Sequence, residues 1–378
     1  MSAASDVILT HPTPEERIRV WKATQPLWGP AMTVDAYLAR EQSQLDIPLA
    51  RDGGLSQWIL TEAGSSAGDD RPILSSCETL RKRVLVRSPD GLVREATSYG
   101  VASVFTPEDQ RRRGYARAMM ARLAGVMRGR NAREPDSALL SVLFSDIGKR
   151  FYALNGWQPY RSTHLEFRNP AAAAVTATGD DKVSLLGFDH LPPIVEAGEK
   201  LVREEIAKPP LRAGQTTRVA IIPDLDHIHW WLAREALVVE KLFGSSRPDV
   251  HGAVYAASPD APRVWAIWSR TFHSLHQEDE NILYILNLGI EDPAISTDDL
   301  TAALDAIFAT AKDQASKWSC GSVQLWNPND RVRSIAERLG AIYVIRDSKS
   351  ILALNWFGDG DVPPEAIDWV SPEKYAWC

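Results

Sequence analysis

Cysteine is scarce in this 378-residue chain: Cys77, Cys320 and Cys378 lie far apart, odd in number and without a C-x-x-C pair. That excludes a disulfide scaffold and gives no metal-ribbon spacing. No apolar run approaches the ~20 residues that span a bilayer. The start, MSAASDVILT, lacks the basic residues and apolar core of a secretion signal. The expected location is therefore the cytoplasm, with no membrane partner. A cationic excess is also missing. Net charge is −7, with 42 Lys and Arg against 49 Asp and Glu, and the basic residues form no tail. Nucleic acid is not an expected partner, and the acidic balance suits a cationic small substrate. What is abundant is tryptophan, with thirteen residues, which points to aromatic packing between domains or around a pocket. The length favours two domains.

The densest stretch runs from Tyr99 to Leu123, YGVASVFTPEDQRRRGYARAMMARL. Val101–Phe105 reads as a strand, Pro107 ends it, and Gly114-Tyr115-Ala116 opens a helix. A strand leading through a Gly-containing turn into a helix N-terminus binds anions. Unpaired N–H groups and the positive end of the helix dipole converge there on one spot. The spacing Arg111-x-x-Gly114-x-Ala116 resembles the coenzyme A signature of GNAT-type N-acetyltransferases.

A second strand–helix unit follows. Residues 138–143 read as a buried strand, Ser145-Asp146 as the N-cap of a helix IGKRFYALN, and Gly156 as its left-handed stop. The F-Y-x-x-x-G-W ending resembles the second GNAT motif. That resemblance makes Tyr152 the acid that protonates the departing thiolate. Thiol and phenol pKa values of about 8.5 and 10 make the transfer nearly level. Where GNAT sequences often carry Asn and Ala, this chain has Ser145 and Gly148, and Ser145 still offers a hydroxyl. The resemblance thus implies acetyl-CoA as co-substrate and no metal. Its contacts would be Ser103, Val104, Phe105, Arg111, Arg112, Arg113, Gly114, Tyr115, Ala116 and Ser145.

Helices opening at Thr13-Pro14-Glu15-Glu16 and at Thr33 precede this core. Strands are expected at Trp58–Thr61, at Ile73–Val86 (broken by SSCETLRKR) and at Glu95–Phe105. The order implies an α+β fold of GNAT type over residues 1–168, a central mixed, mostly antiparallel sheet flanked by helices. Asn169–Lys182 has no hydrophobic periodicity and reads as a linker. From 183 to 357 the plan repeats. A helical segment around Leu185–Glu205 is followed by one near His227–Leu242. Strands at Gly252–Ala257, Val264–Phe272 and Ile282–Ile290 lead to a helix Thr297–Trp318, a strand Ser322–Trp326 and a helix after Asn329. Asn329 precedes Gly340 by eleven residues, as Ser145 precedes Gly156. The chemistry does not repeat. Glu291, Asp292, Asp298 and Asp299 stand where a phosphate loop would be, and Ala336 takes the place of Tyr152. This half reads as a degenerate, GNAT-like second domain that walls the acceptor pocket; an unrelated α+β domain is the alternative.

The pieces SSCETLRKR, SVFTPEDQRRRGYARAMM, SVLFSDIGKRFYALNGW, NDRVRSIAERLG and EKYAWC together resemble the fungal lysine N6-acetyltransferase family of lysine catabolism. The resemblance implies acetyl transfer to the ε-amine of L-lysine or a related small amine. Another acceptor, such as a protein lysine or a biosynthetic intermediate, and a non-catalytic acetyl-CoA sensor are the competing functions. An ammonium of pKa about 10.4 must lose a proton before attack, at about 4–5 kcal/mol near pH 7, so a base is needed. Glu78, in a strand near the middle of the first sheet, is the first candidate, ahead of Asp146 and His164. A tail over 358–378, with Trp369, Tyr375 and Trp377, is expected to dock near the active site and bring the terminal carboxylate of Cys378 to the amine. His227 and His229 diverge on a helix and read as structural.

Overall fold

The structure is a computed structural model that describes residues 6–129, 138–168, 181–210, 212–244, 247–274, 278–358 and 362–377. A short strand absent from the sequence reading, β1 (Val7–Thr10), lies on one edge of the first sheet. Helix α1 (Pro14–Trp28) opens on a capping box: Thr13 Oγ1 accepts from the Glu16 amide, and Glu16 accepts from the Thr13 amide. Thr33 caps α2 (Val34–Gln44) through the Ala36 amide. Strands β2 (Leu55–Glu62), β3 (Ser75–Arg87) and β4 (Val93–Phe105) then form an antiparallel meander.

The break expected within SSCETLRKR does not occur. Arg81 and Arg83 are exposed while Leu80, Lys82 and Val84 are buried, so β3 alternates as a strand through the middle of this segment. The irregularity is on its partner. Ser76 opposes Phe105 and Glu78 opposes Ala102, so β4 carries one extra residue, with Ser103 at φ 53°.

Helix α3 (Tyr115–Gly129), β5 (Ala138–Ser145), α4 (Arg150–Ala153), β6 (Gln158–Pro159) and β7 (Thr163–Arg168) complete the first half. Here the helix expected from Ser145 is corrected. Ser145 ends β5, its hydroxyl donating to the Gly148 carbonyl and accepting from the Ile147 amide. Gly148 at φ 77° turns the chain, and only the single turn of α4 remains helical.

The second half runs through β8 (Val183–Leu186), α5 (Leu191–Ala207), β9 (Thr217–Ile221), α6 (Leu225–Phe243), β10 (Gly252–Tyr255), β11 (Val264–Thr271) and β12 (Ile282–Ile290). It continues through α7 (Thr297–Lys317), β13 (Ser322–Trp326), α8 (Asp330–Arg338), β14 (Ile342–Ile345), β15 (Ile351–Trp356) and β16 (Ile367–Trp369). The helix expected from Leu185 starts only at Leu191, because 183–186 pair with β10. Asn329 caps α8 and Ser296 caps α7, each through a backbone amide three residues on. Among the described residues, no helix is long and apolar enough to cross a membrane.

The first sheet runs β1-β2-β3-β4-β5-β15-β6, with β9 joined to β3 and β16 to β9; the second runs β14-β7-β13-β12-β11-β10-β8. In each, an antiparallel meander ends in one parallel pair, β4 with β5 and β12 with β13. The plan therefore repeats, but the pairing crosses the expected 169–182 boundary. From the first half, β7 sits between β13 and β14, while β15 of the second half sits between β5 and β6. Neither 1–168 nor 183–357 closes a sheet alone. Each half would otherwise leave the outer edge of its parallel pair open. The exchange joins the two sheets through one apolar cluster that includes Leu140, Val142, Leu352, Leu354, Trp265, Leu286 and Trp326.

Pairing within the parallel pairs stops at Val101/Leu143 and at Ile285/Leu325, while β4 and β12 run on. Beyond the second of these points lies the chain's own tail. Asn327 Nδ2 donates to the Pro372 carbonyl at 2.5 Å and Asn287 Nδ2 to the Glu373 carboxylate at 2.7 Å. The Lys374 ammonium stands between 3.9 and 4.9 Å from the ring centroids of Trp326, Tyr284, Trp377 and Trp231. Tyr375 is fully buried and donates to the Ile221 carbonyl at 2.6 Å.

Burial raises the Glu373 carboxyl to about 8, against the opposing bonds from Asn287 and the Leu288 amide. A carboxyl whose folded pKa lies above its unfolded value binds a proton on folding. Its contribution to stability falls from about pH 4.5 to about pH 8 and is flat beyond. Thermal denaturation should therefore show Tm declining between pH 6 and 8, with the decline weakened in Glu373→Gln. An identical decline in both proteins would assign it to other groups.

Candidate active site

The meander sets the centre of the site. Glu78 stands on β3 between β2 and β4, and accepts from Gln57 Nε2 at 2.9 Å and from Ser103 Oγ at 2.7 Å. Ser103 is the left-handed bulge residue, so the irregularity in β4 brings a hydroxyl to this carboxylate. Burial pushes the Glu78 carboxyl above the usual range and Glu41 adds to the shift, while the two hydrogen bonds and Arg234 oppose it. A carboxylate that resists ionisation holds a proton more strongly and is a better general base than a solvated one.

Glu78 lines a cleft between the two N-terminal helices and the meander. One wall comes from α1 and α2 through Arg17, Val20, Trp21, Trp28, Tyr37 and Glu41. The other comes from β2 and β3 through Gln57, Trp58, Ile59, Ser76 and Cys77. Arg71 fastens α1 to its surroundings: both carboxylate oxygens of Glu16 accept from it, and the Gly68 amide adds a third bond at 3.1 Å. Within the cleft, Glu41 is neutralised by Arg40, whose Nε donates to it at 2.9 Å and whose guanidinium covers the Tyr37 ring at 4.5 Å. Burial raises the Cys77 thiol, which is therefore no nucleophile.

Tyr152 sits on α4, 8 % exposed, in the apolar cluster that contains Cys77, the neighbour of Glu78. Burial raises its phenol above the ordinary value, so it stays protonated. Among the described residues its hydroxyl has no hydrogen-bond partner.

The basic loop continues from the end of β4. Arg112 at φ 64° and Gly114 at φ 86° are both left-handed, and α3 begins at Tyr115, with Ala118 N–H donating to the Gly114 carbonyl. Successive amides in such a turn, followed by a helix N-terminus, form an anion seat. Arg112 and Arg113 are exposed, whereas Arg111 is tied back to the Thr106 carbonyl and Glu108. Val104 and Phe105 are half-buried, and the Phe105 ring meets Trp28 edge-on at 6.3 Å, which connects the end of β4 to the cleft. The Ser145 hydroxyl is engaged in its own turn.

The other base candidates fall elsewhere. His164 lies on β7 in the second sheet, and burial holds its imidazole down at about 4. Asp146 is exposed and accepts from the Ser350 amide. The Cys378 carboxylate lies outside the described residues; Trp377, next to it, packs on Trp231 at 5.2 Å. His227 bonds the cap residue Asp224 at 2.7 Å and His229 stacks on Phe188. Among the described residues no group of three His, Cys, Asp or Glu could hold a metal. Arg17, Tyr37 and Gln57 were not singled out from the sequence. Nor was Arg234 of α6, stacked near Trp230 and Trp377 and close enough to Glu78 to act on its charge. No local motif marks them, because only folding brings α1, α2, β2 and α6 together.

The chain resembles known proteins along its length. A "Lysine acetyltransferase" of Yarrowia lipolytica is 22% identical over 283 residues, 65% of this chain and 68% of that protein. An uncharacterized protein of Saccharomyces cerevisiae is 19% identical over 81% of this chain and 76% of its own length. Among solved structures, Saccharomyces cerevisiae N-myristoyltransferase with bound myristoyl-CoA superposes with a TM-score of 0.58 at 9% identity, covering 95% of this chain and 80% of that one. A probable N-acyltransferase from Enterococcus faecalis does so with a TM-score of 0.53 at 12% identity, covering 94% and 73%. These likenesses bear on the fold. Residues 164–378 match the family described as "LYC1 GNAT-like C-terminal domain", a match that begins within β7, the strand lent to the second sheet. With more than half of its length matched, the chain belongs to the LYC1-like family of GNAT-type N-acetyltransferases.

Proposed function

We propose that the protein transfers acetyl from acetyl-CoA directly to the ε-amine of L-lysine or a related small amine. The observation that carries this reading is the desolvated Glu78 carboxylate on the wall of an aromatic cleft. The turn at Arg112–Gly114 and the start of α3 would seat the phosphates of the coenzyme. The ammonium of the acceptor gives a proton to Glu78, the neutral amine attacks the thioester carbonyl, and the C–S bond breaks as Tyr152 protonates the thiolate. The lysine acceptor finds support in the name of the Yarrowia relative.

Release of free coenzyme A from acetyl-CoA, measured against L-lysine, ornithine, simple polyamines and a lysine peptide, tests the reading. Saturable turnover with L-lysine is expected. Binding of acetyl-CoA without turnover on any amine would defeat it. Tyr152→Phe should lower kcat by about 10²-fold while leaving acetyl-CoA affinity largely unchanged. Unchanged turnover would remove Tyr152 from the chemistry.

A further inference from the structure

Four polar atoms of residues lining the cleft are buried without a hydrogen-bond partner among the described residues: Arg17 Nε, Trp21 Nε1, Gln57 Oε1 and Ser76 Oγ. Buried polar groups are nearly always paired, and an unpaired donor on a charged group is the most costly kind to leave. The neighbouring cations are satisfied, Arg40 by Glu41 and Arg71 by Glu16, whereas Arg17 forms no ion pair among the described residues. Its guanidinium lies 5.9 Å from the Trp21 ring centroid on the α1 wall. Glu78 is on the opposite wall, with Gln57 Nε2 bonded to it and Gln57 Oε1 left over. Trp21, Trp28 and Trp58 also line the cleft and give it an apolar character. A ligand complementary to this arrangement is a zwitterion: an amine at Glu78 and Gln57, an aliphatic chain along the indoles, and a carboxylate at Arg17.

We infer that Arg17 binds the carboxylate of the acceptor, so that the acceptor is an amino acid and not a simple amine. This rests on the acetyltransferase reading above and adds to it the residue that selects the acceptor. Guanidinium suits the role because its planar fork matches a carboxylate.

The test compares amines that differ only in the carboxylate, L-lysine with cadaverine and 6-aminohexanoate with pentylamine, in the coenzyme A release assay. The wild type should prefer the carboxylated member of each pair. Arg17→Gln should raise KM for that member by about 10–100-fold, leave kcat nearly unchanged and leave the decarboxylated member unaffected. Arg17→Lys should recover part of the preference. A wild type without carboxylate preference, or an Arg17→Gln variant that keeps it, overturns the inference while leaving acetyl transfer standing. If the preference disappears in Arg234→Gln and survives in Arg17→Gln, the anchor is Arg234 and the inference fails. Turnover with none of the amines sinks both the inference and the reading beneath it.

Discussion

Replacing Glu78 by Gln is expected to lower kcat/KM for amine acetylation by about 10²–10⁴-fold, the range that a positioned general base contributes. Acetyl-CoA affinity should hold, because Glu78 faces the cleft whereas the turn proposed to seat the coenzyme follows the end of β4. The pH profile supplies a sharper readout than the rate alone. The Glu78 carboxyl is raised by burial, so activity should fall with decreasing pH through a limb displaced above the ordinary Glu pKa of about 4.3. The Gln variant should lack that limb and recover toward high pH, where solvent itself deprotonates the amine. Ser103→Ala removes a bond that stabilises the charged carboxylate, and should move the limb to higher pH. A Gln variant with wild-type turnover, or with the same acid limb, would exclude Glu78 as the base.

Glu16→Ala should destabilise the protein by about 3–5 kcal/mol, because it leaves the buried Arg71 guanidinium without its counter-charge. The Thr13 and Gly68 amides would lose their acceptor as well. Burial alone would raise the Glu16 carboxyl, but Arg71 and these two amides outweigh it and hold the group at about 2. A carboxyl depressed in the folded state stabilises the protein above its unfolded value of about 4.5. That contribution is lost as pH falls toward 2. Denaturation in urea at pH 7 and pH 3 should therefore show a gap between wild type and variant that narrows in acid. Removing both partners together should restore part of the loss. A cost below about 1 kcal/mol at pH 7 would mean the pair does not hold α1. Because α1 carries Arg17 and Trp21, the variant should also bind the acceptor less tightly at temperatures where it remains folded.

Much of this arrangement was legible in the chain itself. Thr13, Thr33 and Asn329 cap helices because a side-chain oxygen three residues before a free amide needs nothing from the rest of the molecule. Gly114 and Gly156 turn where only glycine is comfortable, at φ 86° and 103°. Glu78 stood out as a carboxylate within a strand. By contrast, the helix after Ser145 was overextended: Ser145 satisfies a turn as readily as a helix start, and its hydroxyl chose Gly148. The bulge at Ser103 left no trace in local pattern, since a non-glycine residue at positive φ is imposed by the register of its neighbours.

The sequence by itself determined the central strands and most helices of each half, the glycine-containing turn at Arg112–Gly114 and the absence of a matching Arg–Gly turn from the second half. Each of these depends on residues close together in the chain. Only the tertiary structure decided that β7 and β15 change places, that the tail from Pro372 to Trp377 packs beside β12 and β13, and that Arg17 Nε and Gln57 Oε1 have no hydrogen-bond partner among the described residues near Glu78. Strand exchange and cleft geometry are settled by burial and hydrogen bonding between segments as much as 204 residues apart, and no local periodicity encodes those partners.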